Sequence, residues 1–169
     1  MRLYPKKIKA AILVKQNAPL VIDEISIPQK LLKGQVLVKI FYSGICGSQL
    51  GEISGVKGKD KYLPHLLGHE AVGEVIDCGH KVMKVKSGDK VLLHWMPGSG
   101  LSSNFPKYSW KGKTVNAGSI TTFNSYTIVS ENKLSKLGKK INNEKEVLML
   151  GCTASTAIGS VNKLAKLKK

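Results

Sequence analysis

The sequence reads as a mainly β domain ending in helix, an α+β fold. Three observations predict it. Short runs rich in β-branched and aromatic residues recur from Ile8 to Val129, each bounded by Gly, Pro, Asn, Asp or Ser clusters. From Asn143 the apolar spacing changes to a helical one. The order of many short strands followed by helix fits closed or partly closed sheets rather than alternating strand–helix units.

Taken in order, Ile8–Val14 and Leu20–Ile25 are β-prone runs joined by the turn cluster Gln16-Asn17-Ala18-Pro19. Pro28 and Gly34 bracket a connection. Gln35–Tyr42 (QVLVKIFY) carries the strongest strand signal, with near alternation of apolar residues. Ser43-Gly44-Ile45-Cys46-Gly47 breaks it, and Ser48–Ile53 is expected to form a short helix with Ser48 as its N-cap. A lysine- and glycine-rich loop follows from Gly55 to Lys61. Glu70–Ile76 is strand-like, and Val82–Leu93 reads as two strands around the turn Ser87-Gly88-Asp89. Met96–Gly118 is polar and shows no period, which is long for a structureless connection. Ser119–Val129 is the last strand candidate. The stretch after Asn143 reads as helix broken near Gly151-Cys152. The domain division expected is 1–150 for the β domain and 151–169 for a helix leading onward.

The chain has 169 residues, enough to bury a core without disulfides. No apolar run reaches the 18 or so residues of a membrane-spanning helix, and AAILV is too short for a signal-peptide core. Three widely spaced cysteines (Cys46, Cys78, Cys152) make no disulfide framework. A cytoplasmic location is therefore expected, with no membrane partner. The net charge of +16 raises nucleic acid as a partner. Yet of 27 basic residues only Arg2 is arginine, the lysines are scattered, and base or phosphate reading leans on the arginine fork. No nucleic-acid partner is expected.

The stretch Leu63–Val75, LPHLLGHEAVGEV, centres on Gly68-His69-Glu70. A lone histidine there would read as a buried, hydrogen-bonded side chain. Cys46 and Cys152 change the reading, because both stand beside glycines at breaks in regular structure. Thiolate, imidazole and carboxylate are zinc donors, and Cys46, His69, Glu70 and Cys152 read as the set around one zinc ion. No C-x2-C pair of the structural-site kind is present; ligands drawn from distant segments suit a catalytic site with an open position. Spacing alone is weak support, and context sharpens it. His65, His80 and His94 have no ligand-like neighbour and read as structural. Cys78 reads as a small core residue.

Four motifs carry a family resemblance: Gly44-Ile45-Cys46-Gly47-Ser48, the run LPHLLGHEAVGEVIDCG, Val85-Lys86-Ser87-Gly88-Asp89-Lys90-Val91, and Leu150-Gly151-Cys152-Thr153 followed by Ser155-Thr156 and Gly159. In this order they resemble the N-terminal GroES-like catalytic domain of the zinc-dependent medium-chain alcohol dehydrogenases, over nearly the whole chain. The resemblance implies a GroES-like, partly closed β-barrel. It implies a catalytic zinc on Cys46, His69 and Cys152, with Glu70 as a supporting or alternate ligand. Ser48 matches the hydroxyl that passes on the substrate proton. Trp95 matches a substrate-pocket position, although an ordinary core aromatic fits it nearly as well. Thr156 matches a residue near the nicotinamide, or is a helix residue bonding to its own backbone. The implied activity is hydride transfer between an alcohol or polyol and its aldehyde or ketone, with NAD or NADP.

The chain departs from the family in three places. Met96–Gly118 has no cysteine, so no structural zinc is expected. Gly51 stands where many relatives carry the relay histidine, so the proton path must end in water, another side chain or the cofactor ribose. No G-x-G-x-x-G appears, so the Rossmann domain that would follow is missing, and the reading frame is expected to be a fragment or a natural truncation, inactive alone. Relatives mostly pair through that domain, so the full-length protein is expected to be a homo-oligomer. The competing reading is a non-enzymatic zinc-binding or scaffold domain derived from the family.

Overall fold

The computed structural model describes residues 4–138, 141 and 143–165. Among the described residues ten strands form two five-stranded sheets. The first sheet has the order β4-β1-β2-β7-β8 and the second β10-β6-β5-β3-β9. The strands are β1 (Lys7–Leu13), β2 (Val21–Ser26), β3 (Gln35–Ser43), β4 (His65–Leu66), β5 (Ala71–Cys78), β6 (Lys90–Leu93), β7 (Tyr108–Trp110), β8 (Lys113–Val115), β9 (Tyr126–Ser130) and β10 (Leu134–Lys136). The segment before β9 stitches the sheets together. Ser125 N–H donates to Lys9 O on β1, while Ser125 O accepts from Ile40 N–H on β3. The two sheets thus curl into the partly closed, GroES-like barrel that the sequence predicts.

β3 explains the pattern. Gln35, Val36, Leu37 and Val38 are all buried, because both faces of this strand meet core. Leu37 packs with Ile8, Ile12, Ile25 and Ile128. Val36 and Val38 face the other way and pack with Val75, Val91, Leu93 and Val129. Each such side chain contributes about 1.5–3 kcal/mol by leaving water. The β3–β5 pairing slips between Leu37 and Val38 and again between Ile40 and Tyr42. At the second slip Gly73 is required, since a Cβ there would lie 2.2 Å from Lys39 O.

Four expectations are corrected in detail. The short helix, α1, spans Gly47–Ser54 with Cys46, not Ser48, as its N-cap. Of Val82–Leu93 only Lys90–Leu93 is strand; the stretch before it is held as a turn by Lys86 N–H donating to the Asp89 carboxylate at 2.9 Å. Of Ser119–Val129, regular strand begins only at Tyr126, because the preceding residues are spent joining the sheets. Met96–Gly118 is not wholly irregular. It contains the β7–β8 hairpin, turned by Lys111 and Gly112 with φ of 49° and 77°. Buried Tyr108 anchors it, its hydroxyl accepting from Ile128 N–H at 2.9 Å, and Trp110 Nε1 donates to Asp23 at 2.8 Å. Glu131 secures the first part of the stretch: its carboxylate accepts from Met83, Lys84 and Leu101 N–H at 2.6, 2.6 and 2.8 Å. Burial pushes that carboxyl up, but these donors outweigh it and hold it below its ordinary value.

The helical end follows the sequence reading: α2 (Glu144–Val147), a 3-10 turn Leu148–Gly151, then α3 (Thr153–Gly159), with the break at Gly151-Cys152. The 3-10 turn packs on β5 and β6, which sets Cys152 beside the start of β5. Among the described residues no helix is long and apolar enough to cross a membrane.

Candidate metal centre

Three elements converge on one point. The break after β3 supplies Cys46, the loop before β5 supplies His69, and the break before α3 supplies Cys152. One ligand atom from each lies within 4.8 Å of the others, the one such group among the described residues. Glycines permit the approach. Gly68 has φ +92°, and a Cβ on it would sit 2.3 Å from Thr122 Oγ1. A Cβ on Gly151 would meet Leu93 O at 2.5 Å and Glu70 Cβ at 2.9 Å, and one on Gly44 would meet Glu70 Oε1 at 2.5 Å.

The electrostatics suit a cation held by soft donors. The Cys46 thiol is held below its ordinary value, first by the Ser48 N–H at the start of α1 and then by the Ser48 hydroxyl, against the effect of burial. Burial pushes the Cys152 thiol up. Burial pushes the His69 imidazole down, so it stays neutral and keeps a lone pair to give. His69 Nε2 is buried and has no hydrogen-bond partner. A buried polar atom without a partner is costly, and a metal ion among the two sulfurs would satisfy it. The residues present therefore fit zinc.

Sequence reasoning missed Gln49. It is buried, its Oε1 accepts from Cys46 N–H at 2.9 Å, and its Nε2 faces His69 Nδ1 at 2.5 Å and Ser48 Oγ at 3.3 Å. One side chain thus contacts two of the converging residues. An imidazole that gives Nε2 to a metal carries its proton on Nδ1; the Gln49 amide oxygen could accept that proton only by turning away from Cys46 N–H, so with metal bound Gln49 would hold His69 rather than both. The legible signal was the spacing. Cys46-x-x-Gln49 is a capping-box pattern with cysteine in the place of Ser or Thr. Gln49→Leu is expected to weaken zinc binding about 10–100-fold while Gln49→Glu, which keeps an acceptor, retains it. Competition titration with a chromophoric chelator measures this, and a change below about 3-fold for Gln49→Leu would contradict the assignment.

The remaining expected site residues fall as follows. Ser48 stands beside Cys46 and Gln49. Glu70 is 2 % exposed and lies outside the 4.8 Å group; Oε2 accepts from Thr153 N–H at 3.1 Å and Oε1 from the Thr153 hydroxyl at 2.9 Å. It ties the His69 segment to the first residue of α3. Thr156 Oγ1 lies 3.9 Å from Cys152 Sγ. Trp95 is 46 % exposed, its carbonyl accepting from Lys133 Nζ. A cleft of about 1000 Å³ reaches the centre at His69 and Gln49; Cys46, Ser48, Cys152 and Trp95 do not line it. His65 binds Asp60 at 2.7 Å and His94 binds Ser135 at 3.1 Å. Cys78 lies apart from the site with its thiol pushed up to about 11, mainly by burial.

This combination of barrel and Cys-His-Cys centre defines a class, and comparison with known proteins gives the family. Residues 32–139 match the alcohol dehydrogenase GroES-like domain. Curated relatives include S-(hydroxymethyl)glutathione dehydrogenases of Escherichia coli O1:K1 / APEC and Shigella sonnei (strain Ss046), each 31 % identical over 188 aligned positions, covering 96 % of this chain and 50 % of the relative. The alcohol dehydrogenase zinc-binding domain protein of Burkholderia ambifaria superposes with a TM-score of 0.79 at 21 % identity, over 96 % of this chain and 50 % of that one. Benzyl alcohol dehydrogenase of Acinetobacter calcoaceticus superposes with a TM-score of 0.73 at 23 % identity, over 94 % and 48 %. The chain belongs to the medium-chain zinc alcohol dehydrogenase family, as its N-terminal GroES-like domain. It spans about half the length of the relatives it matches.

Proposed function

We propose that this domain holds one catalytic zinc on Cys46, His69 and Cys152, and that, joined to a nucleotide-binding domain, it serves an NAD- or NADP-linked alcohol or polyol dehydrogenase. One observation carries the reading: donor atoms from three segments distant in sequence lie within 4.8 Å of one another, with His69 Nε2 otherwise unsatisfied. Zinc held there would supply Lewis-acid chemistry, polarising an alcohol oxygen and lowering its pKa so that hydride loss to a nicotinamide cofactor would be eased. Ser48 Oγ, fixed beside Cys46, accepts the alcohol proton and passes it on to water, a side chain or the cofactor ribose, because Gly51 offers no further group. Glu70 positions the His69 and Cys152 segments through Thr153, and would act as a ligand itself only by giving up Thr153, water otherwise filling the open position. Thr156 lies beside the nicotinamide and Trp95 contributes to the substrate pocket in the assembled enzyme. Exposed Met149, Leu150, Ile158 and Val161 support the packing of a further domain against the α3 region. A cytoplasmic homo-oligomer completes this reading.

Ser48→Ala, in a chain carrying the nucleotide-binding domain, is expected to lower kcat by about 10²-fold or more with zinc content intact. Activity within a few-fold of the parent would show that the proton leaves elsewhere. A complete chain that binds zinc but oxidises no alcohol with either cofactor would favour the non-enzymatic zinc domain instead.

A further inference from the structure

The cleft beside His69 carries a charge pattern that alcohol binding alone does not require. Lys57, Lys59 and Lys61 all line it. They stand on one short loop, all three exposed. Among the described residues none of them belongs to an ion pair; Lys61 has only the face of Tyr62, 5.5 Å away. Two carboxylates share the lining, Glu52 and Asp60. Asp60 is already engaged, by His65 Nε2 at 2.7 Å and Tyr62 N–H at 2.7 Å.

The loop holding these lysines is fastened. Gln16 Nε2 donates to Gly58 O at 3.0 Å, and Gln16 Oε1 accepts from Asp60 N–H at 3.0 Å. Gly58 N–H closes a turn onto Gly55 O at 2.9 Å. Gly55 and Gly58 take φ of +70° and +96°, which lets the chain turn this tightly. Three like charges therefore stand on one fastened loop lining the cleft, with Glu52 the carboxylate of the described lining that no ion pair engages. Such a field raises the local concentration of anions and favours a ligand that neutralises it. Lysine acts on phosphate as a point charge, without the planar fork that arginine offers a carboxylate. Asn116 also lines the cleft, its Nδ2 already donating to Tyr62 O at 2.6 Å.

We propose that the substrate is an alcohol bearing an anionic group, a phosphate in preference to a carboxylate, which Lys57, Lys59 and Lys61 receive while the alcohol faces the metal centre. This rests on the cleft beside His69 being the substrate site of the proposed dehydrogenase, and it adds the substrate's chemical class.

Glycerol, glycerate and glycerol 3-phosphate share one carbon skeleton and separate the neutral, carboxylate and phosphate cases. Their binding to the zinc-loaded protein is followed by amide chemical shifts at Gly58, Lys59 and Asn116, in about 0.15 M salt so that diffuse charge effects are screened. Glycerol 3-phosphate is expected to bind at least about 10-fold more tightly than glycerol, with glycerate between them. The variant Lys57→Gln/Lys59→Gln/Lys61→Gln is expected to lose that preference and keep its zinc. Lys6→Gln/Lys30→Gln/Lys113→Gln, which removes the same net charge elsewhere, is expected to keep the preference. Equal binding of the three probes, or a preference that survives in the first variant or disappears in the second, overturns the inference while leaving the zinc reading intact. Failure to load zinc counts against the dehydrogenase reading, and the lysine variants then still decide the anion preference by themselves.

Discussion

Cys152→Ser is expected to weaken zinc binding by more than about 100-fold, since loss of a ligand exceeds the cost of losing its supporting partners. Cys152 is buried at the break between the 3-10 turn and α3, and burial pushes its thiol up. A metal–sulfur bond would favour the thiolate against that burial. Serine keeps the volume but its oxygen is a hard, weakly acidic donor, poorly matched to zinc. Cys46→Ser is expected to act in the same direction. Cys78→Ser supplies the contrast: Cys78 Sγ lies 3.6 Å from Val85 O, away from the centre, and its replacement should leave zinc bound at a packing cost of about 1–3 kcal/mol. Chelator competition on the purified variants reads both results. Equal zinc affinity in Cys152→Ser and Cys78→Ser would contradict the ligand assignment.

Gly68→Ala is expected to destabilise the fold by about 2–5 kcal/mol, combining strain at positive φ with overpacking. The backbone at Gly68 has φ +92°, and the new methyl would lie 2.3 Å from Thr122 Oγ1, 2.7 Å from Phe123 Cδ1 and 2.9 Å from Phe123 N. Thr122 and Phe123 cannot withdraw, because both donate N–H to Leu67 O and Thr122 Oγ1 lies 2.7 Å from Ser43 Oγ. The strain falls on the residue next to His69, so zinc affinity should drop with stability. Urea unfolding of the two proteins measures it, and a loss below about 1 kcal/mol would show that the loop relaxes freely.

The barrel was legible because its strands obey simple rules. Gln35–Tyr42 has β-branched residues in sequence, and the helical period returns after Asn143. The seam was not legible: Phe123-Asn124-Ser125 bonds to β1 and β3 through backbone atoms, and backbone pairing leaves little mark on residue choice. The β7–β8 hairpin was missed although Trp110-Lys111-Gly112-Lys113 is a tight turn, because three-residue strands are too short to show a period. What holds them is Tyr108 and Trp110, whose partners Ile128 and Asp23 lie far off in sequence. At the candidate metal centre the three converging residues were visible as Cys, His and Cys at backbone breaks. Taking Ser48 as the helix cap hid Gln49, since a cap at Cys46 places Gln49 at the position that reaches back to it. The double hold of Glu70 on Thr153 depends on the 3-10 turn before α3 packing on β5 and β6, which no local pattern announces.

The central claim is a single zinc ion on two sulfurs and one imidazole. Elemental analysis of the purified protein, joined to X-ray absorption at the zinc edge, tests it most directly. The expected result is one zinc per chain, with two sulfur neighbours near 2.3 Å and a histidine nitrogen at about 2.0–2.1 Å. Zinc absent after purification with metal supplied, two zinc ions per chain, or a zinc shell without sulfur would contradict it.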